Sequence, residues 1–390
     1  MTRGRAFALT SGYYAVLFFA LGAHLPYWPV WMADWGLDDG DIGRMLGIAI
    51  LARVIGATVF PALADRYAVR RIILAGSACL SACITLLHLE ARTEVMLLVL
   101  TLAMALSSAP MIPIGEALGL RASERFGFAY AHTRAAGSVA FLAMVLGIGP
   151  VIDHFGSGAI LTILVGSLLA ASVFGAFHPG GGAAPGTSDR SRWSDVKQLT
   201  GKRSFLLFAI AAALGQAAHA VYYTYSALQW SDAGISKTAI GGLWAIGVAA
   251  EILLFFGPGR RWVAAMGPAQ TFVLAAVAGM IRWAVMTVEP TGLGLWLLQA
   301  MHALTFGLTL LASMAFIAAA VPPRLAASAQ GVSSGLFGGV MMAALTLLSG
   351  EFTNPDNPAS LYWIGVAAAA VSGLAALGLR QRWDGGRLFA

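Results

Sequence analysis

Residues 36–43 read Gly36-Leu37-Asp38-Asp39-Gly40-Asp41-Ile42-Gly43, and residues 234–241 read Gly234-Ile235-Ser236-Lys237-Thr238-Ala239-Ile240-Gly241. The two stretches begin 198 residues apart in a chain of 390. Each leads into an apolar segment long enough to cross a bilayer, which takes about 20 residues. Just upstream, Ala23-His24 with Tyr27-Trp28 matches Ala218-His219 with Tyr222-Tyr223, allowing three extra residues in the second copy. The same offset of 198 sets Arg53 opposite Glu251. Two membrane-embedded halves related in this way describe a carrier with its site near the midplane.

Outward from the repeat, twelve apolar segments can be marked. They run at about 7–32, 42–64, 72–90, 94–119, 131–152, 157–178, 204–230, 238–257, 267–288, 292–320, 324–350 and 360–380. The most polar stretch, Pro179 to Arg203, contains Gly180-Gly181-Gly182 and Ser188-Asp189-Arg190-Ser191-Arg192. It reads as a solvated linker with six segments on either side. The expected fold is therefore an all-α integral membrane protein of twelve transmembrane helices in two pseudo-symmetric six-helix bundles. Its parts are an N-terminal bundle over 1–178, a cytoplasmic linker over 179–203 and a C-terminal bundle over 204–390 with a short cytoplasmic tail.

Composition agrees. Only 11% of residues are charged and 58% are hydrophobic, where a soluble chain carries about 25% charged residues. Too few charges exist to build a water-facing shell. The net charge of +6 does not point to nucleic acid, because the basic residues sit in short clusters between apolar stretches. Arg3, Arg5, Arg66, Arg70, Arg71, Arg121, Arg125, Arg203, Arg260, Arg261, Arg324 and Arg380 fall at the termini and in the even-numbered connections. Asp34, Asp38, Asp41, Glu90, Asp153, Asp232, Glu289 and Glu351 mark the odd ones. By the positive-inside rule both termini and the linker are expected in the cytoplasm of a bacterial-type plasma membrane. The first apolar segment is long and continues as a span, so no cleavable signal peptide is expected. Cys79 and Cys83, one helical turn apart, have neither metal-site nor redox spacing and read as small packing residues.

Ionisable groups inside the hydrocarbon are costly and are functional candidates by default. They are Arg53, Glu116, Arg134, Glu251, Arg282 and His302. Arg53 reads either as a partner for helix-end carbonyls or as a cavity-facing cation. Glu251 reads either as the ion-pair partner of Arg282 or as a carboxyl group that loads and releases a proton. Glu116 and Arg134 read either as a salt bridge at the helix ends or as substrate ligands. Gln299, His302 and Thr305 form a polar stripe at three-residue spacing that points into the protein or a water cavity. The aromatics Tyr27, Trp28, Trp31, Tyr222, Tyr223 and Tyr225 read either as an interfacial belt or as a stacking wall for a planar substrate. Gly43, Gly47 and Gly56, and Gly331, Gly335, Gly338 and Gly339, allow close helix approach.

The loop Pro61-Ala62-Leu63-Ala64-Asp65-Arg66-Tyr67-Ala68-Val69-Arg70-Arg71 resembles the cytoplasmic loop motif of the major facilitator superfamily. The family's two glycines are Pro61 and Ala68 here, while Asp65, Arg66, Arg70 and Arg71 match. The resemblance implies that these charges form a cytoplasmic gate. Glu116 and Arg134, eighteen residues apart, and Arg282 and His302, twenty apart, resemble pairs of lactose permease in the oligosaccharide/proton symporter branch. There the first pair binds substrate. That permease has a proton-carrying Glu where this chain has Thr305. Leu25-Pro26-Tyr27-Trp28-Pro29-Val30-Trp31, Leu51-Ala52-Arg53-Val54-Ile55-Gly56, Arg282-Trp283 and His302-Ala303-Leu304-Thr305-Phe306 resemble the phenylpropionate permease family over nearly the whole chain.

The resemblance implies a secondary active transporter, a proton symporter for a small organic anion such as an aromatic carboxylic acid, working by alternating access. Tyr27, Trp31, Arg53, Glu116, Arg134, Tyr222 and Tyr223 are the expected substrate contacts. Glu251, Arg282 and His302 are the expected proton-coupling group. A sugar, glycoside or nucleoside symporter and a drug exporter are the alternatives. No catalytic cluster or sizeable signalling domain supports an enzyme or a receptor. No cofactor and no metal are expected, and the carrier is expected to act as a monomer with a small molecule, protons and lipid as its partners.

Overall fold

In the lipid interior every backbone N–H and C=O must be satisfied within its own segment, so apolar stretches of this length fold as helices. The computed structural model describes residues 1–181 and 193–389. Among them twelve helices are long and apolar enough to cross a membrane. These are α1 Arg3–Trp35, α2 Asp39–Arg66, α3 Arg70–Glu90, α4 Glu94–Phe126, α5 Tyr130–Phe155, α6 Gly158–Ala176, α7 Arg203–Asp232, α8 Lys237–Phe256, α9 Pro268–Met286, α10 Gly292–Ala320, α11 Pro323–Glu351 and α12 Pro358–Arg382. No strand occurs among the described residues. Several helices overrun their apolar segments. α4 continues through the charged turn Arg121–Arg125 and stops only where Gly127 takes a left-handed φ of 71°.

The chain forms two compact units. The first comprises Met1–Asp38, the stretch from Ile48 to the linker, and Trp230–Gly242. In it α1 packs against α5 and α6, and α3 against α6. Its core gathers Tyr13, Leu17, Leu74, Met111, Ile114 and Leu118. The start of α8 is held here by α5. Asp153 accepts from the Lys237 and Thr238 amides at 3.3 Å and from the Thr238 hydroxyl at 3.0 Å, which caps the helix. Gly149 and Gly241 make the approach possible. A Cβ on either would overlap backbone atoms of Lys237 or Val145.

The second unit comprises Asp39–Gly47, the stretch from the linker to Gln229, and Leu243–Ala390. In it α9 packs against α12 and α10, and α7 against α12 and α11. Phe205, Phe208, Phe272, Phe316, Leu325 and Leu379 form its core, with Phe208 stacked on Phe316 at 4.1 Å. The start of α2 is held here by α11 and α7: Gly43 meets Gly350, Arg44 reaches Glu351 at 3.5 Å, and Tyr225 of α7 donates to the Asp39 carbonyl at 2.9 Å.

Large apolar side chains such as Ile72, Phe155, Leu253 and Phe256 are exposed on the outer surface, where lipid is their solvent. Cys79 and Cys83 are exposed as well, so they face outward instead of packing between helices. Gly331 and Gly335 have open space at their Cβ positions, and the chain around them is a π-helix over Gly331–Gly338. These glycines therefore mark irregular helix, not helix contact.

The linker departs from a plain solvated tether. His178, Pro179, Gly180 and Gly181 are buried. Gly180 and Gly181 let the backbone lie directly on Leu118 and Arg71. Arg71 Nε donates to the His178 carbonyl at 2.8 Å, and the Gly180 amide donates to His178 Nδ1 at 3.2 Å. Burial, and then the Arg71 charge, lower the His178 imidazole to about 4. Ser188 to Arg192 lie outside the described residues. Beyond them Trp193–Thr200 is a short helix because Leu199 inserts into the core of the second unit. The C-terminal tail is also docked. Arg387 donates to the Val321 carbonyl at 2.9 Å, and Phe389 is buried.

Candidate functional site

Three helices are interrupted beside polar side chains. α7 runs Arg203–Ala217 and resumes at Ala220, leaving Ala218 and His219 between. α10 breaks after Ala300 and turns π-helical over Ala303–Gly307. α4 breaks at Ala109-Pro110, between Ser108 and Met111. Proline lacks the amide that would continue the ladder, so the α4 break has a sequence signal. Irregular backbone at membrane depth is tolerated where it is buried in protein or lines a cavity, and π-bulges recur at functional sites.

In the second unit these breaks surround Arg282, which is fully buried on α9. Its Nη2 donates to Gln299 Oε1 at 3.0 Å and its Nη1 to Thr305 Oγ1 at 3.1 Å. Nη1 also lies 3.4 Å from His302 Nδ1. The whole polar stripe of α10 thus converges on one guanidinium. That cation sits over the Trp283 ring at 4.4 Å and the Tyr222 ring at 5.0 Å. Tyr222 stacks on Trp244 at 4.8 Å, and Tyr223 stacks on His219 at 5.7 Å.

Glu251 of α8 belongs to the same cluster. Its Oε2 lies 3.7 Å from His302 Nε2, and the imidazole stands between the carboxylate and the guanidinium. Arginine can only donate, so the Nδ1 that faces it must accept. The ring proton of neutral His302 is therefore on Nε2, pointed at Glu251. A carboxylate, an imidazole and a fixed cation in series can store and release one proton, the cation being charge-compensated only while the proton is absent.

In the first unit Arg53, His24, Ser81 and Ser108 line a cavity of about 60 Å³, with Leu17, Met104 and Leu168 among its apolar walls. That is room for several waters, each taking about 10–15 Å³ on the same measure. No hydrogen bond or ion pair to Arg53 occurs among the described residues. His24 stacks on Trp28 at 5.2 Å, and Trp28 stacks on Trp31 at 4.7 Å. Trp31 is thus linked to the cavity through two rings. Tyr27 is not: its hydroxyl donates to the Lys237 carbonyl at 2.6 Å.

Glu116 and Arg134 lie 3.8 Å apart, both partly exposed, with the guanidinium over Phe18 at 4.1 Å. In the loop motif Arg70 Nε bonds Asp65 Oδ1 at 2.5 Å, Arg66 lies over Tyr67, and Arg71 binds the linker as above. Sequence reasoning did not single out Ser81, Ser108 or His219 as site groups. The repeat did pair His24 with His219; His24 shares its cavity with the half-buried Arg53, and His219 shares its cluster with the buried Arg282.

The MFS_1 like family matches residues 8–364 of the chain. A probable 3-phenylpropionic acid transporter of Escherichia coli (strain K12) is 29% identical over 351 residues, which cover 88% of this chain and 89% of that protein. A maltose permease of Geobacillus stearothermophilus is 23% identical over 87% of this chain and 85% of its own. The crystal structure of the nucleoside transporter NupG superposes with a TM-score of 0.81 at 15% identity, covering 97% of this chain and 100% of that one.

Proposed function

The chain belongs to the MFS_1-like family of transporters, and from that premise we propose that it is a proton symporter for a small organic anion, an aromatic carboxylic acid being the substrate class. One observation carries the reading: Arg53 lines a cavity and has no partner among the described residues. A half-buried guanidinium at membrane depth without a counter-charge is costly and is relieved by a carboxylate, which it binds bidentately. The apolar walls and the Trp28–Trp31 stack behind His24 suit an aromatic body. The relative named for 3-phenylpropionic acid supports that class.

In this reading Arg53 neutralises the substrate, and Glu251 with His302 and Arg282 carries the proton as access alternates. Tyr222 and Tyr223 wall the Arg282 cluster. Asp65, Arg66, Arg70 and Arg71 close the cytoplasmic side, with both termini in the cytoplasm and one chain as the working unit. The test is uptake into proteoliposomes with an imposed proton gradient, using phenyl-substituted carboxylic acids against sugars and nucleosides. Accumulation of the acids, lost in Arg53→Ala and partly kept in Arg53→Lys, is expected. Uptake that is indifferent to Arg53→Ala removes it from the site.

A second reading, a sugar or nucleoside symporter, is favoured by the partly exposed Glu116–Arg134 pair. Two opposite charges 3.8 Å apart can grip a polyol from both sides. Sugars competing where acids do not would select it.

A further inference from the structure

Thr305 closes the polar stripe of α10, and a hydroxyl at that position cannot hold a charge. The structure shows what the hydroxyl does instead. Its oxygen lies 3.1 Å from Arg282 Nη1 and 3.0 Å from His219 Nε2. His219 comes from the break in α7 and is fully buried. Its Nδ1 lies 3.0 Å from the Gln216 carbonyl, which only accepts, so Nδ1 carries the proton. In the neutral ring Nε2 is then an acceptor, and the Thr305 hydroxyl donates to it. With its single proton committed to His219, the hydroxyl presents its lone pairs to Arg282.

We propose that His219 is a positioning residue of the coupling site: through the Thr305 hydroxyl it fixes the Arg282 fork against His302. This rests on the reading of Glu251, His302 and Arg282 as the proton-coupling group. Without the His219 acceptor, the hydroxyl turns to the Met301 or His302 carbonyl, each 3.3 Å away. Arg282 then loses an aligned acceptor and the constraint that holds Nη1 on His302 Nδ1. The charged and titratable groups around His219 are Arg282 from α9, His302 from α10 at 5.2 Å between rings, Tyr223 from α7, and Glu251 from α8 beyond His302. The break in α7 supplies the position. His24, its counterpart in the repeat, has no hydrogen-bond partner for its Nε2 among the described residues, so the bond from Nε2 distinguishes His219 from its counterpart.

Two measurements test this on the full chain in lipid. In ¹⁵N-histidine NMR, the His219 signals, assigned by their loss in His219→Gln, should report the Nδ1–H tautomer, and the Nε2 signal should move in Thr305→Val. An Nε2–H tautomer, or an Nε2 signal indifferent to Thr305→Val, overturns the proposal. In transport, His219→Leu should lower proton-driven accumulation about tenfold, the scale of one hydrogen bond to a charged group, and shift its pH profile. His219→Gln keeps an acceptor for Thr305 and should restore most of both. A wild-type profile in His219→Leu, or a His219→Gln as defective as His219→Leu, also overturns it. Wild-type uptake without proton flux would sink the symport reading instead, and the tautomer would still decide His219.

Discussion

Glu251 Oε2 lies 3.7 Å from His302 Nε2, and the opposite nitrogen of that ring faces Arg282. The separation is longer than a hydrogen bond, so the pair can tighten when a proton arrives. Glu251→Gln keeps the shape and removes the charge. Accumulation against a gradient should vanish, while substrate exchange across the membrane persists. Accumulation at the wild-type level would show that the proton travels elsewhere.

The Glu116–Arg134 pair, 3.8 Å apart with side chains 47% and 34% exposed, should contribute below about 1 kcal/mol to stability, as exposed pairs do. Glu116→Gln should leave thermal unfolding nearly unchanged. If the pair grips substrate, uptake falls even so. Loss of stability with uptake intact would assign it a structural role.

His178 sets a pH dependence at the junction with the linker. Its folded value near 4 lies below the ordinary 6.5, so the unfolded chain takes up the proton first as pH falls. The stabilisation from the docked neutral ring is intact above about 6.5 and is lost as pH drops toward 4. Protonation also removes the Nδ1 acceptor of the Gly180 amide. Thermal unfolding in detergent should show this decline, and His178→Asn, which keeps an acceptor but does not titrate, should flatten it. Parallel curves for the two proteins would contradict the assignment.

Gly241 lies so close to the Val145 carbonyl that a Cβ cannot fit. Gly241→Val should force the start of α8 away from α5, at about 1–3 kcal/mol of overpacking. Transport should slow. A cysteine introduced by Thr238→Cys, with Cys79 and Cys83 replaced by serine, should become easier to label. Unchanged labelling and rate would mean that this contact does not hold the start of α8.

Twelve helices were legible because hydrocarbon forbids unpaired backbone, so hydropathy alone fixes the elements. The polar stripe of α10 was legible for a similar reason, since Gln299, His302 and Thr305 share one face and all three meet Arg282. The π-turn at Ala303–Gly307 was not legible, because no proline marks it. The docked helix Trp193–Thr200 was missed because its charged residues mask the one leucine that anchors it.

The sequence by itself determined the spans, the repeat, the family and the short roster of intramembrane charges. These follow from segment length, spacing and the cost of charge in lipid. Only the tertiary structure decided partnership. It set His302 against both Glu251 and Arg282, placed His219 beside Thr305, and left Arg53 facing a cavity with no partner among the described residues. Which polar atoms meet depends on helix breaks and rotations of an ångström or two, and hydropathy does not record them.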